Sequence, residues 1–139
     1  MTAAAHYDSV RTLLVGGILA SRVHDVVRVN GDKPVRDNYV VLTPDASQLD
    51  DERYTVLQSV DSTARFRYDV RSVATSLSGV LLYQDTVRGR LIGQVPVVAG
   101  RSCTPIRLVD PVEEGRATHD SSANLFHVTE TFEFWSRRA

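Results

Sequence analysis

One stretch constrains the fold of this chain more than any other. From residue 64 to 74, Phe66, Tyr68, Val70 and Ala74 fall on one side, and Arg65, Arg67, Asp69, Arg71 and Val73 fall on the other. A period of two is the signature of a β-strand with one face in a core. The apolar face has to be covered, and the other face is a ladder of charge. Like charges two residues apart on one strand face repel unless acids lie opposite, so Arg65, Arg67 and Arg71 require partners. Asp69 and Glu133 are candidates within the chain. Across a subunit boundary, the acidic runs Asp50-Asp51-Glu52 and Glu113-Glu114 are candidates. A nucleic-acid phosphate backbone is a third possibility and a solvated face the plainest one.

The segments on either side supply the covering layers. Near the start, Val10, Leu13, Leu14, Gly17, Ile18 and Ser21 keep a 3.6-residue period, which predicts a helix capped by Thr2 or Asp8. Gly16 and Gly17 weaken that helix and imply a closely packed neighbour. Val26, Val27 and Val29 predict a short strand running into the turn Asn30-Gly31-Asp32. Asn38 to Thr43 predicts the next strand, stopped by Pro44-Asp45. Residues 44–63 are polar and read as a long loop or excursion. After the alternating strand, Thr75 or Ser76 caps a second helix with the stripe Leu77, Val80, Leu81, Val87 and Leu91, ending near Gly93. A strand around Ile106, Leu108 and Val109 and a second polar loop at 111–124 follow.

The last strand runs from Leu125 to about Trp135. Phe126, Val128, Phe132 and Phe134 point one way; His127, Thr129, Thr131 and Glu133 point the other. Glu130 breaks the apolar set. An edge position or a bulge explains it, or else the arginine of a partner reaches it.

The order α, β, β, loop, β, α, β, loop, β predicts an α+β fold: a mostly antiparallel sheet of about five strands with two helices on one face. At 139 residues the chain reads as a single domain, 1–139. Its 42% hydrophobic and 24% charged residues are those of a folded globular protein. No apolar run approaches the roughly 18 residues that span a membrane. Met1 to His6 lacks the basic region of a secretory signal, so the expected site of synthesis and assembly is a cytoplasm.

Recognisable chemistry is absent from the sequence. His6, His24, His119 and His127 form no H-x-x-x-H or H-E-x-x-H pattern, and Cys103 is the lone cysteine, which argues against a zinc site and against an internal disulfide. Cys103 reads as a small, half-buried residue near a strand rather than a nucleophile. The glycines fit neither a dinucleotide-binding nor a phosphate-binding loop, so no cofactor is expected. The acidic runs lack the alternating spacing of a calcium loop. A formal net charge of -1 argues against nucleic-acid binding by bulk attraction. The cations are informative in kind: Lys33 is the only lysine and the rest are arginine, whose planar fork suits carboxylate pairing at interfaces.

The stretch Phe66-Arg67-Tyr68-Asp69-Val70-Arg71-Ser72-Val73-Ala74, the helix ending Val87-Arg88-Gly89-Arg90-Leu91-Ile92-Gly93, and the final Leu125-Phe126-His127-Val128-Thr129-Glu130-Thr131-Phe132-Glu133-Phe134-Trp135 together resemble tail terminator proteins of long-tailed bacteriophages. The first helix, the early hairpin and the Tyr39-Val40-Val41-Leu42 strand come in the same order. The likeness covers most of the chain by pattern rather than by an invariant motif, and segment 44–63 has no match in it.

That resemblance implies a non-enzymatic virion protein of the tail or neck. It would form a homo-oligomeric ring, hexameric in the family, at the head-proximal end of the tail tube. The ring would bind the tail tube protein, stop its growth and join the head-to-tail connector or stopper, with genomic DNA passing through the lumen without sequence recognition. On this reading the subunit interface comprises Arg65, Arg67, Arg71, Asp50, Asp51, Glu52, Glu113, Glu114 and Glu130. The nearest alternative is a stopper or connector of the same neck. A more distant one is a small-ligand module or enzyme, with Tyr39, Tyr68, Tyr83 and His127 lining a pocket.

Overall fold

The computed structural model describes residues 3–30, 33–44, 64–109 and 117–139. The acidic candidates Asp50, Asp51, Glu52, Glu113 and Glu114, and the cap candidate Thr2, lie outside the described residues.

Helix α1 spans Ala3–Leu14. It starts on alanines, the best helix formers, and buries His6, Val10 and Leu14, spaced by four. Asp8 lies inside the helix rather than capping it. The helix stops earlier than its apolar period suggests. Gly16 and Gly17 take φ values of +153° and +54°, which end the helical path, and a short 3₁₀ turn follows over Gly17–Leu19. Leu19 is buried there, while Ile18 is exposed. The neighbour that the glycines imply is Arg90: a Cβ on Gly16 would lie 2.7 Å from its Nη1.

Among the described residues the sheet has seven strands: β1 (Val23–His24), β4 (Tyr39–Pro44), β5 (Ala64–Ala74), β6 (Arg101–Cys103), β7 (Arg107–Leu108), β8 (Thr118–Asp120) and β9 (Leu125–Arg138). The order is β1-β4-β5-β9, and β6, β7 and β8 line up in turn along the other side of β9. All pairings are antiparallel except β1 with β4. The α+β class is as expected, but the sheet is mixed and larger than five strands. Strands β1, β6 and β8 are too short to leave a periodic signal. Part of the expected loop at 111–124 is in fact β8 and the turn after it. That turn is held by Asp120, whose Oδ1 accepts from the Ser122 and Ala123 amides. A separate two-stranded hairpin joins β2 (Val29–Asn30) to β3 (Lys33–Pro34); of the strand expected over Val26, Val27 and Val29 only Val29 is in it, and all three valines are exposed.

Helix α2 spans Leu77–Leu91 and is capped by Ser76, whose Oγ accepts from the Gly79 amide. Its buried stripe is Val80, Tyr83, Gln84, Val87 and Leu91. Leu77 and Leu81, expected inside, are exposed because the stripe is rotated toward Tyr83 and Gln84. Both helices pack on the even-numbered face of β5 and β9. There Phe66, Tyr68, Val70, Phe132 and Phe134 meet Val10, Leu14, Tyr83, Val87 and Leu91. His6 stacks on Phe66 with ring centres 4.0 Å apart, and its Nε2 pairs with Ser136 Oγ at 2.8 Å. Ser136 Oγ also accepts from Arg101 Nε at 2.9 Å.

Candidate interaction face

The odd-numbered face of the sheet carries the charge ladder. Register fixes its pairs across β5 and β9: Arg65 faces Trp135, Arg67 faces Glu133, Asp69 faces Thr131, Arg71 faces Thr129 and Val73 faces His127. On the far flank, β7 sets Arg107 opposite Glu133, and β4 sets Val41 opposite Arg71.

Glu133 is the electrostatic centre of this face. It is only 1% exposed, on a face that would otherwise solvate it. Arg67 Nε donates to its Oε2 at 2.9 Å and Arg107 Nε to its Oε1 at 2.7 Å. Burial pushes the carboxyl up, but the two guanidinium hydrogen bonds outweigh it and hold the group below its usual range. One expected partner, Glu133 for Arg67, is therefore in place, and Arg107 joins it from β7, which lies within the strand expected around Ile106, Leu108 and Val109. Asp69 accepts from Thr131 Oγ1 at 2.7 Å. The Arg65 guanidinium lies over the ring of Trp135, 5.8 Å from its centre.

Arg71 differs from these. Its Nε is buried and has no hydrogen-bond partner. His127, diagonal to it, is held below its ordinary value by burial and then by Arg71, with Asp120 acting the opposite way.

Glu130 lies on the other face, beneath the helices. It occupies neither an edge nor a bulge: it sits opposite Val70 in unbroken register. It is 2% exposed and is held from within the chain by Arg88 of α2. The break in the apolar alternation was the readable signal for a buried ion pair. Arg88, one residue from the buried Val87, is the partner that sequence reasoning missed.

The tyrosines and His127 do not line one pocket. Tyr39 and His127 belong to the odd face, while Tyr68 and Tyr83 are buried in the helix-side core. An open groove of about 480 Å³ lies instead at the β6 end, between Cys103, Thr104, Trp135 and Arg137. Burial pushes the half-buried Cys103 thiol up, making it a poor nucleophile. Among the described residues, no three His, Cys, Asp or Glu side chains are grouped to hold a metal ion, and no helix is long and apolar enough to cross a membrane.

No protein-family model matches the chain, and no curated protein matches it. Among solved structures, it is similar to a chain from the virion of a native gene transfer agent particle. The TM-score is 0.70 at 16% sequence identity, over 97% of this chain and 96% of that one. The two chains share one α+β fold along nearly their whole lengths.

Proposed function

We propose that this chain is a structural virion protein of a phage-type particle, acting as the tail terminator. It forms a ring, taken as a hexamer, at the head-proximal end of the tail tube. The ring stops tube growth and joins the tail to the head connector, and genomic DNA passes through its central opening. The observation that carries this reading is the near full-length fold likeness to a chain of a gene transfer agent virion. The arginine-rich odd face and the exposed valines beside the hairpin supply surface for neighbouring subunits. A heterologous interface of this kind closes into a ring when the rotation per subunit closes.

The test is the solution mass of the purified protein by light scattering, with negative-stain imaging of large species, alone and with tail tube protein. Rings that bind tube ends and halt tube growth support the terminator role. Rings that bind portal-side components instead indicate a stopper or connector. Absence of any ring under both conditions refutes the proposal.

A further inference from the structure

We propose that Arg71, Thr129 and His127 form a carboxylate-binding site on the odd face, which takes an aspartate or glutamate side chain from a partner protein. The inference does not depend on the ring reading.

The strand register places the three residues together. Thr129 lies directly opposite Arg71, and His127 sits one step along the same face, opposite Val73. All three are half-buried, so the site is recessed yet reachable. Beside it lies a small apolar cluster of Tyr39, Val41, Val73 and Leu125.

Arg71 is the anomaly that points to a ligand. A buried N–H without a partner is costly, and native proteins rarely leave one so. Among the described residues no carboxylate pairs with this guanidinium. Elsewhere the sheet does the opposite: Arg88 holds Glu130, and Arg67 and Arg107 hold Glu133. Asp69, the nearest acid on the same strand face, is engaged with Thr131. Arg71 therefore keeps a donor fork facing the same side as the Thr129 hydroxyl and the His127 ring.

The chemistry favours a single carboxylate over a polyanion. A planar fork matches a carboxylate in two-pronged geometry. His127 is held toward its neutral form, so the site carries one positive charge for one negative charge. Asp69 and Glu133 on the same face, and Asp120 beside His127, repel an extended row of phosphates.

The experiment is NMR of the ¹⁵N-labelled chain, following the Arg71 Nε–H signal and the His127 ring. Sodium acetate is titrated against sodium chloride at constant ionic strength, and inorganic phosphate is titrated in parallel. Among the described residues, the titratable and charged groups facing His127 are Arg71 from β5, Asp120 from β8 and, on the same face, Tyr39 from β4. An anion seated on Arg71 offsets its positive charge and raises the His127 midpoint, by about half a unit or more. Saturable acetate shifts at Arg71 and Thr129 with that rise, lost in Arg71→Met, are the expected result. Equal responses to chloride mean screening alone and overturn the proposal, as does no response. Tighter saturation by phosphate overturns the carboxylate assignment in favour of a phosphate ligand. The titration of the unmodified chain decides the matter by itself if Arg71→Met does not fold.

Discussion

Arg88 grips Glu130 across the helix–sheet interface with both carboxylate oxygens engaged. Its Nε lies 2.9 and 3.0 Å from Oε1 and Oε2, and its Nη2 lies 2.6 Å from Oε2. The carboxylate is 3% exposed and the arginine side chain 40%. The pair therefore asks very different things of its two members: solvent can serve the guanidinium but cannot serve the acid. Arg88→Met should strand a buried carboxylate and cost about 2–4 kcal/mol, below the range for fully buried pairs because the arginine is partly wet. Arg88→Met combined with Glu130→Leu should recover much of that loss. Urea unfolding of the four species in a double-mutant cycle checks it.

Glu133 predicts the acid limb of stability. Its folded carboxyl titrates below its unfolded value. The stabilisation is thus fully present above the unfolded value of about 4.3 and is lost as pH falls through the folded one. Unfolding free energy measured from pH 7 down to pH 2 should fall in this window. Glu133→Gln should lower stability at pH 7 by about 1–3 kcal/mol and flatten the acid slope. An unchanged slope would remove Glu133 from this role.

The two kinds of glycine in the chain should respond in opposite directions. Gly16 combines φ +153° with the Arg90 guanidinium at 2.7 Å from a would-be Cβ. Gly16→Ala should cost about 1–3 kcal/mol, chiefly from the backbone, since the tip of Arg90 can move. Gly89 lies within α2 and a Cβ there meets nothing within 4 Å. Gly89→Ala should stabilise by about 0.5–1 kcal/mol. Thermal melts of the two variants side by side make the comparison.

Ser76→Ala removes the cap of α2 and leaves the Gly79 amide without its acceptor. The expected loss is about 1 kcal/mol, and Ser76→Asp should retain most of the stability. Circular dichroism melts read both.

Charge reversal separates folding from assembly at Arg71 but not at Arg67. Arg67→Glu would set an acid against buried Glu133 and should destabilise the subunit itself. Arg71→Glu breaks no ion pair among the described residues, so the isolated chain should keep its melting temperature within a few degrees while losing association. Light scattering and a melt on the same sample distinguish the two effects.

What the sequence revealed depended on the length of the signal. Alternation over most of its eleven residues made β5 unmistakable, and the aromatic ending of β9 did nearly as well. Ser76 was legible because a cap has its own chemistry. Two- and three-residue strands such as β1, β6 and β8 carry no period and exist because β4 and β9 offer them edges. The end of α1 was misread because Val10, Leu14 and Ile18 keep the helical spacing across two glycines whose backbone leaves the helix. Glu130 was visible as a break in a pattern, but its partner lies 42 residues away and no local rule reaches that far.

Strand β9 pairs with β5 along eleven residues on one side and with β6, β7 and β8 on the other. It comes after all of them in the chain. During synthesis the ribosome therefore releases β5 and the three short strands before the element that binds them exists. Until β9 emerges, β5 has only β4 beside it, and β6, β7 and β8 have no strand to pair with. The charged odd face, which β5 and β9 build together, is therefore completed only when the last strand docks.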